Sequence, residues 1–485
     1  MRTMSVARRL AGDSLIYGLG SLVPALLGLL TVPFVARALD SSDYGRLELV
    51  TTTVSLAVVV LDCGLSSAMA RFFLDLPPED VAGRRSIVSS ASFVTLGSSM
   101  IVALLAIALA GPAAPHIGED GRLLIVLAAL SLPLTILTQV TRETMRLQFR
   151  PWRYLTAVVL AGVPTAVLAV LSVTVLDLGV IGILAATAVG LSIAGGYGIV
   201  QARTLLSGRA SRTALRRMLA FGLPLVPGTL ALWGMAYADR VILGSVAGTD
   251  AVGVYAIANR VTMPLALLST AIGIAYLPFM FELARDSPDR ERSVRRRMGP
   301  AVLVAGLTLS VILAGFAPEI IRVLAPAFRD AADSVGVLAI GLSLYSLTSV
   351  LVGTFLVLNR TALTAVFTVM SGIANVALCL VLIPPFGPLG AALATAGGYL
   401  LLAGLYVWFG IRNETGAHDL QRLIGGFVLA LVVILGILVV LRVTDGLVGF
   451  GLRVACVAVF FGLLPVFRIV TPGQLRQLLT SVRQK

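Results

Sequence analysis

Apolar residues dominate fourteen stretches of this chain, at about 14–36, 49–70, 86–111, 122–141, 154–176, 179–201, 219–243, 251–277, 300–318, 335–357, 361–383, 388–410, 423–441 and 447–467. An α-helix needs about 20 residues to cross a hydrocarbon core, and each stretch is close to that length. Many contain Gly, Pro, Ser and Thr, which membrane helices tolerate and use for close packing. The pattern predicts an all-α integral membrane protein with fourteen transmembrane helices. The first stretch imitates a signal peptide, with a basic start (Arg2, Arg8, Arg9) and a small-x-small site at Ala36-Arg37-Ala38. Its apolar run is longer than the about 7–15 residues of a signal h-region, so it reads as an uncleaved first span.

Arginine placement orients the spans. With the N-terminus in the cytoplasm, 28 of the 37 basic residues fall in cytoplasmic segments. Six fall in outer loops (Arg46, Arg122, Arg322, Arg329, Arg442, Arg453), and Arg37, Arg240 and Arg260 stay within spans. Shifting the register by one helix scrambles this bias, so the positive-inside rule places both termini in the cytoplasm. The expected location is the inner (cytoplasmic) membrane. The basic strings SGRASRTALRR and DRERSVRRR read as a cytoplasmic face against anionic lipid headgroups, not as nucleic-acid patches.

Composition narrows the chemistry. The 485 residues are 58% hydrophobic and 13% charged, against about 25% charged in an average soluble domain. This balance argues against a soluble enzyme, a nucleic-acid-binding module and a disordered scaffold. The only lysine is Lys485, so a P-loop, which needs a lysine in its glycine-rich turn, is absent. His116 and His418 are isolated and read as solvated loop residues; no metal centre and no cofactor is expected. Cys63, Cys379 and Cys456 lie far apart in apolar segments and read as small buried hydrophobes. No loop is long enough to hold a soluble catalytic domain, so an enzyme is not expected.

The chain contains a copy of itself. LTAV at 155–158 recurs at 363–366, and LGVIGILAATAVG at 178–190 lies over FGPLGAALATAGG at 386–398, both at an offset of 208. Gly45 falls on Gly253 at that offset, whereas LVP at 22–24 matches LVP at 225–227 at an offset of 203. Six spans map onto six spans. Because six is even, both copies enter the membrane in the same direction. The expected architecture is two parallel six-helix lobes related by a pseudo-two-fold along the membrane normal, plus two C-terminal helices. The domains are then 1–201 (N-lobe), 202–218 (cytoplasmic linker), 219–410 (C-lobe), 411–470 (the added pair) and 471–485 (tail).

Charge inside a bilayer costs about 2.5–3.5 kcal/mol at mid-helix on insertion scales, so each such residue needs a reason. Five stand out: Arg37, Asp62, Asp239, Arg240 and Arg260. At the offset of 203, Arg37 falls on Arg240. Guanidinium groups bind phosphate and carboxylate oxygens in bidentate fashion, so a cleft holding these three arginines suits an anionic headgroup. The competing reading has Arg37 and Arg240 near the outer ends of their helices, snorkelling to the interface. Asp62 and Asp239 are candidates for gating or ion coupling, with a packing role as the alternative for Asp62. Neighbours on a helix point about 100° apart, so Asp239 and Arg240 need not pair. Pro24, Pro224 and Pro227 interrupt spans 1 and 7 at comparable depths, where kinks would suit alternating access. Tyr17, Trp233, Tyr237, Tyr255 and Tyr276 are candidates for stacking on sugar rings or for the interfacial belt. Asp40 and Asp43 read as a capped turn, with a catalytic role as the weaker alternative.

Four stretches carry a family resemblance: VPFVARALDSSDYG, LDCGLSSAMAR, FGLPLVPGTLALWGMAYADRVILG with GVYAIANR, and IPPFGPLGAALAT. They resemble the polysaccharide-transporter family of the multidrug/oligosaccharidyl-lipid/polysaccharide exporter superfamily. The resemblance spans nearly the whole chain, and the string with Asp239-Arg240 is its most specific part. It implies a flippase for undecaprenyl-diphosphate-linked glycans, in which two lobes rock around a cationic cavity. By position, it implies that Arg37, Arg240 and Arg260 hold the diphosphate or acidic sugars.

The expectation is a flippase that carries a lipid-linked oligosaccharide from the cytoplasmic to the outer leaflet, with Arg37, Arg240, Arg260, Tyr237 and Tyr255 on the substrate. An ion gradient or the membrane potential is the expected driving force. Expected partners are the lipid-linked glycan, anionic lipids and polysaccharide polymerases or glycosyltransferases. The rivals are a lipid II flippase, a cation-coupled multidrug antiporter of the same fold and a polytopic glycosyltransferase. An antiporter for cationic drugs favours an acidic cavity, and a glycosyltransferase needs an outer catalytic loop.

Overall fold

The computed structural model describes residues 2–116, 120–358, 360–412, 420–444 and 446–464. His418, Lys485 and the tail 471–485 lie outside the described residues. The described chain is helical throughout, without a strand. In order the helices are α1 (Arg2–Ala38), α2 (Ser41–Asp62), α3 (Leu65–Asp75), α4 (Val81–Ala108), α5 (Ala110–Ala113), α6 (Gly121–Leu147), α7 (Pro151–Thr174) and α8 (Gly179–Leu206). They continue as α9 (Arg212–Gly222), α10 (Val226–Val261), α11 (Met263–Asp286), α12 (Pro288–Leu324), α13 (Ala332–Val357), α14 (Thr361–Arg412), α15 (Leu420–Val443) and α16 (Gly446–Leu463). Lipid offers the backbone no hydrogen bonds, so a spanning chain must satisfy its own, as helices do.

Among the described residues, 13 helical stretches are long and apolar enough to cross a membrane. Large apolar side chains such as Phe93, Val167, Ile373 and Leu447 stand exposed on them. Surface of that kind requires lipid as its solvent. Two stretches, Arg212–Val261 and Thr361–Gly410, are 50 residues each. A straight helix of that length would run about 75 Å, more than twice a hydrocarbon core. Both turn at a glycine with non-helical backbone: Gly248 (φ 85°, ψ 176°) and Gly387 (φ 54°, ψ −127°). Gly387 aligns with Gly179 at the offset of 208, and Gly179 also has positive φ, 53°.

The chain forms two compact units, Met1–Trp233 and Gly234–Lys485. Small residues organise the first. Gly182, Ala186, Gly190, Ala194, Gly198 and Ala202 are all buried along α8. A four-residue step rotates about 40° per repeat, so this ridge winds from one neighbour to the next. Gly182 and Gly190 face α7 at Ser172 and Thr165, whereas Gly195 and Gly198 face α6 at Leu137 and Thr141. The second unit centres on α13, packed by α12 through Gly306 against Ser343 and by α14 through Gly341 against Ala396. Its aromatic core joins Phe355, Phe367, Tyr406 and Phe409 edge to face.

Two expectations need correction. Pro24 does not interrupt α1, which runs through it and through Pro33. Pro224 lies in a 3-10 turn, Leu223–Leu225, and Pro227 is the second residue of α10. At a helix start proline removes an N–H that has no partner anyway, so these prolines mark boundaries. Arg453, placed above in an outer loop, is buried inside α16. It forms a bidentate pair with Glu319 of α12 (2.8 and 3.0 Å) and donates to the Gly315 carbonyl at 3.1 Å.

Candidate functional site

The helical turn counts bring the polar residues of the second unit together. Asp239 lies nine residues before Gly248 and Tyr255 seven after it. At 1.5 Å per residue the two sit about 14 and 10 Å from the same turn, side by side on antiparallel segments. Thr395 lies eight residues past Gly387, about 12 Å from that second turn. Three side chains distant in sequence therefore share one depth.

There they form one network. The Tyr255 hydroxyl donates to the Asp239 carboxylate, and the Thr395 hydroxyl donates to the same oxygen at 3.1 Å. The other carboxylate oxygen accepts from the Arg240 backbone N–H at 2.8 Å and from its guanidinium at 3.2 Å. The guanidinium also donates to the Ala236 carbonyl at 2.5 Å. It lies over the rings of Tyr237 (5.1 Å) and Tyr255 (5.8 Å), where the π-faces favour a cation. Asp239 and Arg240 are only 2% and 7% exposed. So the sequence neighbours do pair, because the long arginine side chain folds back along its own helix. Arg240 is held inside the unit instead of snorkelling outward.

Tyr255 is fully buried, so its ring offers sugar no stacking face here; its hydroxyl instead serves Asp239. Tyr237 is partly exposed above the guanidinium. Arg260 is half-buried five residues beyond Tyr255, about 140° further round that helix. Below the network, the buried Asn375 donates to the Ala394 carbonyl at 3.1 Å, and its own side-chain oxygen has no hydrogen-bond partner.

The first unit holds the other two candidates. Arg37 is exposed in the last turn of α1. Asp62 closes α2 where the chain breaks at Cys63 (φ 47°) and Gly64 (φ 71°). Its carboxylate accepts from the Ser66 hydroxyl at 2.5 Å and from the Gln139 amide at 3.4 Å, and that amide also donates to Ser66 at 3.2 Å. Of the remaining aromatics, Trp233 donates to Ser55 at 2.9 Å and Tyr17 packs edge-on against Tyr154. Tyr276 is buried in the core. Asp40 caps α2 by accepting the Asp43 N–H at 2.8 Å.

Sequence reasoning missed Thr395, Asn375, Ser66, Gln139 and the Arg453–Glu319 pair. Counting depth from the glycine turns would have found Thr395. The others had no spacing signal.

Long apolar helices that bury an ion pair between them define a multi-pass membrane protein. The chain belongs to the family described as Polysaccharide biosynthesis protein, which matches residues 34–327. It is 23% identical over 417 residues to a Shigella flexneri protein named "Putative O-antigen transporter", covering 81% of this chain and 96% of the relative. Its fold is similar to a lipid II flippase MurJ in an inward closed conformation, with TM-score 0.70, 13% identity and 94% and 100% of the two chains covered. It is also similar to an inward-facing multidrug resistance MATE family transporter, with TM-score 0.60, 17% identity and 83% and 98% covered. The chain therefore has the fold of the multidrug/oligosaccharidyl-lipid/polysaccharide exporter superfamily.

Proposed function

We propose that the protein is a flippase that moves an undecaprenyl-diphosphate-linked oligosaccharide from the cytoplasmic to the outer leaflet by alternating access. The observation that carries this reading is the match to a relative named as an O-antigen transporter, which extends over 96% of that protein. Counting residues 226–247, 249–286, 361–386 and 388–412 as one crossing each gives fourteen, in keeping with both termini in the cytoplasm. The shared φ of Gly179 and Gly387 supports two like-built lobes.

In this reading Arg37 and Arg260 engage the diphosphate, and Tyr237 meets the first sugar. Arg240 joins them when its hold on Asp239 loosens. Asp239 is the coupling residue, held by Tyr255, Thr395 and Arg240. A buried carboxylate that exchanges Arg240 for a proton or a cation frees the guanidinium for phosphate. Asp62 gates from the break between α2 and α3. The tail of the lipid stays in the bilayer.

A lipid II flippase is the second reading, favoured by the 94% coverage in the fold comparison. Both are tested by reconstitution into vesicles with each diphosphate-linked glycan in turn, scoring leaflet exposure. Transport of one glycan, lost in Arg37→Ala/Arg240→Ala/Arg260→Ala, supports the assignment. Undiminished transport in that variant overturns the roles of the arginines, and transport of neither glycan by the native chain overturns the function.

A further inference from the structure

We propose that α9, with the loop that precedes it, is a binding site for anionic phospholipid. One side of α9 is committed to the protein. Leu215, Met218, Leu219 and Phe221 pack with Leu65, Met69 and Phe73 of α3 and with Ile87 and Val88 of α4. The other side, Arg212, Thr213, Arg216, Arg217 and Ala220, is exposed, as are Arg209 just before it and Arg85 on α4.

The sequence holds no Asp or Glu between Asp177 and Asp239. The ion pairs found among the described residues do not include Arg85, Arg209, Arg212, Arg216 or Arg217. Five guanidiniums around one short helix repel one another unless an outside anion joins them.

The helix is also fastened. The Ser211 hydroxyl accepts the Ala214 N–H at 3.3 Å as an N-cap, and the Ser211 N–H donates to Ser90 of α4 at 2.8 Å. Gly208 rests on the Arg85 backbone so closely that a Cβ there would lie 2.6 Å from the Arg85 carbonyl. That contact brings Arg85 beside Arg209. At the far end Gly222 abuts Gly64, and Arg71 covers the Phe221 ring at 4.6 Å.

Position selects the ligand. Five residues, 207–211, join α9 to the spanning helix α8, and they reach about 18 Å at most. A three-residue turn then leads into α10. So α9 stays at the membrane edge, where the abundant anions are headgroup phosphates. Arg212 and Arg216 stand one turn apart, about 6 Å, close enough for two guanidiniums to share one phosphodiester. This site does not depend on the flippase reading.

The test uses the full-length protein in phosphatidylcholine nanodiscs, titrated with dioleoylphosphatidylglycerol, reading bound lipid by native mass spectrometry. Three forms are compared: wild type, Arg212→Gln/Arg216→Gln, and Arg290→Gln/Arg297→Gln, the last removing two exposed arginines of α12. Arg212→Gln/Arg216→Gln deletes the two charge-assisted hydrogen bonds to the shared phosphodiester, each worth about tenfold in affinity, so the α9 variant is expected to need roughly 100-fold more phosphatidylglycerol for half-occupancy. The α12 variant is expected to stay within about twofold of wild type. Equal losses in the two variants would reduce the effect to bulk charge attraction and overturn the site, as would no loss in the α9 variant. Equal occupancy of the site by inorganic phosphate in phosphatidylcholine discs would replace the lipid with a soluble anion.

Discussion

Arg37 and Arg240 align at an offset of 203 in the sequence, yet Arg37 is exposed in the first unit and Arg240 is buried in the second. Their surroundings explain the difference. At the same offsets Ala36 stands where Asp239 is, Leu47 where Tyr255 is, and Thr187 where Thr395 is. At these aligned positions the first unit has the arginine and the threonine, with an alanine and a leucine in place of the carboxylate and the phenol. A guanidinium enters an apolar unit only when a counter-charge and ring faces receive it. Gly179 and Gly387, aligned at the offset of 208, do share a positive φ, 53° and 54°. The two aligned glycines share a φ, whereas the Asp239–Arg240 network lies in the second unit.

The Asp239 carboxylate carries the greatest weight in the buried network. Asp239→Ala strands Arg240 in an apolar interior and is expected to destabilise the protein by about 3–5 kcal/mol. The double variant Asp239→Ala/Arg240→Met removes both charges and is expected to recover most of that loss, since coupled neighbours are not additive. Unfolding midpoints in detergent micelles report both. An Asp239→Ala loss below about 1 kcal/mol would show that Arg240 finds water or another anion without difficulty.

Gly64→Ala comes next. Its φ of 71° is left-handed, and a Cβ would lie 2.4 Å from the Gly222 carbonyl. Left-handed strain and overpacking together predict about 3 kcal/mol. The same unfolding measurement checks it, and a smaller loss would mean that α9 lifts readily from the break beside Asp62. Arg453→Ala should cost about 2 kcal/mol, the scale of a charge-assisted hydrogen bond, because Glu319 keeps some access to solvent. Limited proteolysis near α15 and α16 should rise in parallel if that pair ties the last two helices to α12.

Much of this was legible beforehand. The apolar blocks and the arginine bias identified a polytopic helical protein, because lipid leaves a chain few alternatives. The residues Asp239, Arg240, Tyr237 and Tyr255 were visible as charged or aromatic exceptions in apolar spans. Their mutual contacts were not, since these depend on where Gly248 and Gly387 turn the chain. Thr395 sat in the repeated string without any mark of its role, matched by an equivalent Thr187. A span boundary read from hydropathy is soft by a turn, and one turn separates a loop arginine from the buried Arg453.

Arg37→Ala is expected to have the smallest effect on stability, within about 0.5 kcal/mol, as for exposed substitutions generally. Its effect on transport should be larger. Losing one charge-assisted hydrogen-bond donor to a diphosphate costs about 1.5–3 kcal/mol, which is roughly ten- to hundredfold in rate if the contact forms at the transport barrier. Arg37→Lys retains the charge but not the bidentate fork, so it should recover only part of that loss. The measurement is glycan translocation in vesicles at matched protein density, beside the unfolding midpoint. An unchanged midpoint with slowed translocation puts Arg37 on the cargo, so that its exposure is the counterpart of the burial of Arg240. Unchanged translocation would make Arg37 an interfacial anchor and leave the second unit as the sole bearer of the charge chemistry.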